Sequence, residues 1–105
     1  MKACLVYVTA GSRAEAVKIG RRAVTERLAA CANVLDNMRS IYWWKGRVQK
    51  GAEAVLILKT RKSLANRLIA RIKSLHSYEC PCVVTLPIEK GNPDFLKWIM
   101  EETRS

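Results

Sequence analysis

The chain has one histidine, and it stands six residues from the second of two close cysteines in His76-Ser-Tyr-Glu-Cys80-Pro-Cys82. One imidazole and two thiolates make a soft donor set, better matched to Cu(I) or Zn(II) than to hard cations. His76, Cys80 and Cys82 are therefore the candidate metal ligands, with copper or zinc as the possible ion and no cofactor required. In a straight strand Cys80 and Cys82 point to the same face about two rises of ~3.3 Å apart, too wide for one ion unless Pro81 bends the chain. A histidine at a helix end has a competing role as a C-terminal cap, drawn to the helix's partial negative charge.

Other chemistries find less support. No Ser/His/Asp arrangement and no paired carboxylates are visible, and Cys31 has no evident base, so the chain does not read as an enzyme. The start of the chain, Met1-Lys2, runs into an apolar strand without an export pattern. On that reading the protein is expected in the cytoplasm, with Cys4, Cys31, Cys80 and Cys82 as free thiols. Apolar runs are too short to span a bilayer, so no membrane partner is expected. Net charge is +10, from 19 basic and 9 acidic side chains. Lys59, Arg61, Lys62, Arg67, Arg71 and Lys73 form a stretch without an acid. With no aromatic residue interleaved, this is read as a solvated helix face, and nucleic acid, for which only charge argues, is an unlikely partner.

These residues need elements to hold them. Ser40 to Thr60 reads as one long β-hairpin turning at Lys45-Gly46, where glycine can take positive φ. The returning arm, Ala52–Leu58, is apolar at nearly every position, the mark of a central strand. The outgoing arm begins at Cys31–Val34, carries Asp36, Asn37, Arg39 and Ser40, and reads as an edge strand. Ala3–Thr9 is a second strand apolar on both faces. Ser12 and Glu15 have capping-box spacing ahead of a helix to about Ala29, with Val17, Val24 and Leu28 on its stripe. Leu64, Leu68, Ile72 and Leu75 predict a helix over about Ser63–His76. Cys80–Pro87 reads as the last strand, beginning at an edge or bulge because of Pro81. Asn92-Pro93 opens a short terminal helix through Leu96, Ile99 and Met100.

The order β-α-β-β-α-β plus a C-terminal helix predicts an α+β, ferredoxin-like sandwich over residues 1–105 as one domain, with strands one and three central in an antiparallel sheet. Both faces of those strands are apolar: Leu5, Tyr7, Val55 and Ile57 on one, Val6, Val8, Leu56 and Leu58 on the other. Helices cover one face. Fully burying one such side chain is worth roughly 1.5–3 kcal/mol, so several left wet would consume much of a net stability of about 5–15 kcal/mol. The open face is therefore expected to be covered by another copy, with Tyr42, Trp43 and Trp44 at the hairpin tip as interface residues. The competing reading folds the tryptophans back on their own chain.

Segments spread along the chain resemble the CutA divalent-cation-tolerance family: Arg27-Leu-Ala-Ala-Cys-Ala-Asn33, Ser40-Ile-Tyr-Trp-Trp-Lys-Gly46, Ile57-Leu-Lys-Thr60, His76-Ser-Tyr-Glu79, Leu86-Pro-Ile88 and Phe95-Leu-Lys-Trp98. The resemblance implies a homotrimer with a PII-like assembly, a part in the response to metal ions, and copper binding in some members. It implies no reaction. His76 falls on the family's usual histidine, whereas a copper-binding cysteine and an added histidine of one bacterial branch fall at Val8 and Leu75, and the last glutamate of the family's His-Pro-Tyr-Glu-x-Pro-Glu run is Cys82. The PII likeness carries an alternative: a signalling module with an anion-binding intersubunit cleft at Lys59, Tyr78, Arg61 and Glu79, acting on an unknown partner protein.

Overall fold

The computed structural model describes residues 2–104 and contains β1 (Ala3–Ala10), α1 (Arg13–Thr25), β2 (Cys31–Trp44), β3 (Arg47–Arg61), α2 (Ala65–Leu75), β4 (Val83–Ile88) and α3 (Pro93–Glu102). A short 3₁₀ turn over Lys62–Leu64 leads into α2. The strands form one antiparallel sheet in the order β2-β3-β1-β4. The two strands apolar on both faces are thus central, and the polar outgoing arm of the hairpin is an edge, as the sequence pattern predicts.

Alternation along the strands separates two layers. Val6, Val8, Leu56 and Leu58 are buried with Ala16, Ile19, Ala23, Leu68 and Ile72 of the helices. At Gly20 of α1, an added Cβ would lie 3.0 Å from both Ala32 Cβ and Leu56 Cδ1, so the missing side chain lets the helix sit close on the sheet. Thr60 is fully buried on this side and donates its hydroxyl to the Leu28 carbonyl at 2.7 Å.

The second sheet face is covered at one end by the chain itself. Ile99 and Met100 of α3 are buried together with Ala3 and Ala30, with Ile88 packed alongside. Arg61 binds this helix down, donating to Thr103 Oγ1 at 3.0 Å, to the Thr103 carbonyl at 2.6 Å and to the Met100 carbonyl. Beyond α3 the face stays open: Leu35, Val84 and Leu86 are each about half exposed or more. The expectation of a wholly uncovered face is thus corrected in extent.

Two element boundaries also differ from expectation. α1 stops at Thr25, not near Ala29, because Arg27 takes a left-handed φ of 64°. Its amide donates to the Val24 carbonyl and that of Leu28 to the Ala23 carbonyl, each at 3.0 Å, which is the Schellman ending. Glycine is the usual residue there, so arginine left no sequence signal. Val17 faces out because the buried stripe of α1 is Ala16, Ile19, Gly20 and Ala23, and Leu28 is buried by the chain reversal rather than by a helical stripe. The last strand begins at Val83, which leaves Cys80, Pro81 and Cys82 in an irregular segment before it.

The hairpin turns through Lys45 and Gly46, both at positive φ, the two-residue turn whose twist matches its strands. It makes the molecule long, with principal extents of 44 × 25 × 22 Å. A bulge between Leu35 and Met38, with Asn37 at φ 61°, inserts a residue into β2 and pairs Met38 with Glu53. No helix among the described residues is long and apolar enough to cross a membrane.

Candidate functional site

The segment from His76 to Cys82 leaves the C-terminus of α2 and folds against the end of β1 and the middle of β3. His76 holds it there. Its side chain is fully buried, with Nε2 2.7 Å from the Thr9 carbonyl and Nδ1 accepting the Tyr78 amide at 3.0 Å. A ring whose Nδ1 accepts carries its proton on Nε2, so Nε2–H is the donor to Thr9. The Thr9 amide donates to the Cys82 carbonyl at 3.3 Å. Histidine and loop thus extend the ladder ahead of the start of β4.

Glu15 secures the same segment. Ser12 Oγ accepts the Glu15 amide, as a capping box requires, but Glu15 Oε1 accepts the Gly11 amide at 3.2 Å instead of closing on Ser12. Its Oε2 accepts the Ser77 amide at 2.7 Å. Burial pushes the Glu15 carboxyl up, but the hydrogen bonds from Ser77 and Gly11 outweigh it and hold the group below the ordinary carboxylate range.

Between this segment and the hairpin lies a cleft of about 750 Å³. Tyr7, Met38 and Glu53 line it from the sheet, Tyr42, Trp43 and Trp44 from the hairpin, and Tyr78, Glu79, Cys80 and Cys82 from the loop. Tyr78 crosses it and donates its hydroxyl to Glu53 Oε2 at 2.8 Å. Burial, then Glu53, push the Tyr78 phenol well above its ordinary range, and the same two causes in the same order raise the Cys82 thiol.

The metal candidates separate on inspection. Cys80 and Cys82 are free, exposed thiols that both line the cleft, whereas Pro81 does not. His76 has both ring nitrogens in hydrogen bonds and offers no lone pair to an ion. Among the described residues no group of three His, Cys, Asp or Glu side chains is placed to hold a metal ion. The capping role weighed against the ligand role is not seen either: the partners of His76 are the Thr9 carbonyl and the Tyr78 amide, not carbonyls of α2.

The anion-cleft residues also fall into two places. Tyr78 and Glu79 line the cleft, while Lys59 donates to Asn33 Oδ1 at 2.6 Å with its ammonium 5.9 Å from the Phe95 ring centroid, and Arg61 is spent on α3. The hairpin residues do not fold away: Trp43 is 74% exposed, and Tyr42 and Trp44 are exposed to a lesser degree. Sequence reasoning missed Glu53 and Met38 as cleft residues. Their signal was present only in the pairing of β2 with β3 across the bulge.

A four-stranded antiparallel sheet with two helices on one face, a third helix across part of the other, and a cleft between hairpin and loop define an α+β protein of the ferredoxin-like, PII-like class. Residues 4–102 match the family model described as CutA1 divalent ion tolerance protein, and the chain belongs to that family. It is 40% identical over 100 residues to the divalent-cation tolerance protein CutA of Pyrococcus horikoshii, covering 95% of this chain and 97% of that one. It is 41% identical over 100 residues to the chloroplastic Protein CutA 1 of Oryza sativa, covering 95% of this chain. The chain spans 56% of the length of that relative and of its Mus musculus and Arabidopsis thaliana counterparts. The crystal structure of CutA1 from Oryza sativa superposes with a TM-score of 0.96 at 39% identity, covering 99% of this chain and 95% of that one.

Proposed function

We propose that the chain acts in tolerance of divalent cations as a cytoplasmic homotrimer that binds a soft metal ion, copper or zinc, weakly through Cys80 and Cys82 and catalyses no reaction. The observation that carries the metal reading is that both thiols open onto one cleft while Pro81 lies outside it. The segment is irregular there, so the two thiols are not held in the straight strand that would keep them about two rises apart. Two protein thiolates are fewer ligands than a tight zinc or copper site uses, so affinity is weak unless a neighbouring copy adds a donor. His76 belongs to the scaffold in this reading. The trimer is supported by the open part of the sheet face and by the exposed Trp43 at the end of a long hairpin. Family membership and the named tolerance proteins among its relatives support the biological role.

The test is calorimetric titration of Zn(II) and, under anaerobic reduction, Cu(I), into the protein, its Cys80→Ser/Cys82→Ser variant and its His76→Ala variant. Binding should be lost in the thiol variant and kept in the histidine variant wherever that one remains folded. Unchanged affinity without the thiols sinks the reading. Sedimentation at micromolar concentration tests the assembly, and a stable single-chain species refutes it. The anion-binding alternative has no comparable support, since of the cations assigned to it neither Lys59 nor Arg61 lines the cleft.

A further inference from the structure

The basic run from Lys59 to Lys73, read along the chain as one solvated face, is divided by the fold. Lys59 is bonded to Asn33 and Arg61 to α3, whereas α2 carries Arg67 and Lys73 to the side of the sheet where α1 carries Arg13, Lys18 and Arg21. Both helices turn their buried residues to that one sheet face. Lys18 and Arg21 fall opposite the buried stripe of α1 by the period of the helix. All five cations are exposed, and among the described residues none is in an ion pair. The acids of this layer are already used: Glu26 is held by Arg22 and Arg71, and Glu15 accepts the Gly11 and Ser77 amides. The remaining acids of the chain lie on the hairpin, beside β4 and on α3. The helix layer is on the side of the sheet opposite the open face, so covering that face with other copies leaves it free.

Unpaired cations with little else around them narrow the choice of partner. Single-stranded nucleic acid is held by bases stacked on aromatic rings, and neither helix has an aromatic residue. A helix lying on a membrane sinks large apolar side chains among the headgroups, and Val17 is the one large hydrophobic of these helices that is exposed. Protein interfaces centre on the same kinds of anchor. An RNA duplex is recognised largely through 2′-hydroxyls across its minor groove. Duplex DNA needs none of these, since its non-specific binding comes from phosphates neutralised by Lys and Arg with release of counterions. Arginine, with its planar fork of donors, suits phosphate oxygens. We propose that the outer side of α1 and α2 binds the phosphate backbone of double-stranded DNA without reading its sequence, through Arg13, Lys18, Arg21, Arg67 and Lys73. This goes beyond the metal reading and needs neither thiol.

The experiment measures binding of a short fluorescein-labelled DNA duplex to the assembled protein by anisotropy, in reductant and chelator. Two duplexes of unrelated sequence should bind alike. With about four phosphates neutralised, affinity should fall about a hundredfold as salt rises from about 50 to about 200 mM. Lys18→Gln/Arg21→Gln/Arg67→Gln/Lys73→Gln changes exposed positions to a good helix former, and should weaken binding at the lower salt by at least about a hundredfold. Circular dichroism and sedimentation confirm its fold and assembly. Lys2→Gln/Lys90→Gln/Lys97→Gln/Arg104→Gln removes the same charge away from the two helices, and should cost less than about tenfold. Single-stranded DNA, an RNA duplex, polyglutamate and phosphatidylserine vesicles serve as competitors at equal charge. No binding at the lower salt, an affinity independent of salt, equal loss in the two variants, or a competitor that displaces the labelled duplex better than unlabelled duplex does, overturns the proposal. Because the chelator removes metal, and Cys80→Ser/Cys82→Ser should leave duplex affinity intact, failure here is separable from failure of the metal reading.

Discussion

Replacing His76 by alanine separates a scaffold role from a ligand role. The imidazole is fully buried and joins two backbone groups, the Thr9 carbonyl and the Tyr78 amide, at 2.7 and 3.0 Å. Each such bond contributes about 1 kcal/mol net, and a buried partner left unpaired costs about 1–3 kcal/mol. Water can enter from the exposed loop and reach the Tyr78 amide, so the lower part of that range applies there. With the void left by the ring, the loss sums to about 2–4 kcal/mol, against a net stability of about 5–15 kcal/mol for a domain. The assay is urea unfolding at one fixed protein concentration, since assembly would otherwise shift the midpoint. Amide exchange at Tyr78 adds a local reading and should accelerate, because its acceptor is gone. A His76→Ala protein within about 0.5 kcal/mol of the parent, the range of an ordinary surface change, would refute the reasoning. Were that protein also to lose copper or zinc affinity, His76 would be a ligand after all.

Three further outcomes follow from the same geometry. Arg71 grips Glu26 with two bonds of 2.9 Å, and with Arg22 beside it the Glu26 carboxyl is drawn from 4.5 to about 2. The depressed value makes this contribution complete above the unfolded-state value near 4.5 and lost as pH falls toward about 2, so acid unfolding of Glu26→Gln should show a shallower pH dependence in that window and no difference in slope at neutral pH. Gly20→Ala sets a gain of about 1 kcal/mol in helix propensity against about 1–3 kcal/mol of crowding at Ala32 and Leu56, so thermal unfolding should report a net loss of up to about 2 kcal/mol. Leu86→Lys places a charge on the open sheet face, where Leu86 is 48% exposed, and should lower the sedimenting mass with the secondary structure retained; an unchanged mass would put the interface elsewhere.

Much of this molecule was legible as pattern. Apolar residues at nearly every position of Ala3–Thr9 and Ala52–Leu58 marked the central strands, Lys45-Gly46 the turn, Asn92-Pro93 the start of the last helix. Each is a local preference repeated in neighbours, so a linear reading recovers it. The end of α1 was illegible because Arg27 does with a strained φ what glycine usually signals. The start of β4 was illegible because Cys80 and Cys82 carry no strong preference, and what keeps them out of the strand is His76 bonded to Thr9, far away in the chain.

What the amino-acid order determined by itself was the number, kind and succession of elements, and the presence of two soft donors at Cys80 and Cys82. Only the tertiary structure decided which side chains share the cleft. Glu53 meets Tyr78 because β3 pairs with the end of β1 at Ala54 and a loop from the far end of α2 is tied to that same end through Thr9, while the bulge in β2 brings Met38 opposite Glu53. It also removed His76 from the donor set and Lys59 and Arg61 from the cleft. A side chain's chemistry is fixed by its type, but its free valence depends on which partners have already used it. For Arg61 a partner lies 42 residues away, beyond the reach of any local pattern. For His76 the Thr9 carbonyl lies 67 residues away, although the Tyr78 amide on its lone pair is a near neighbour.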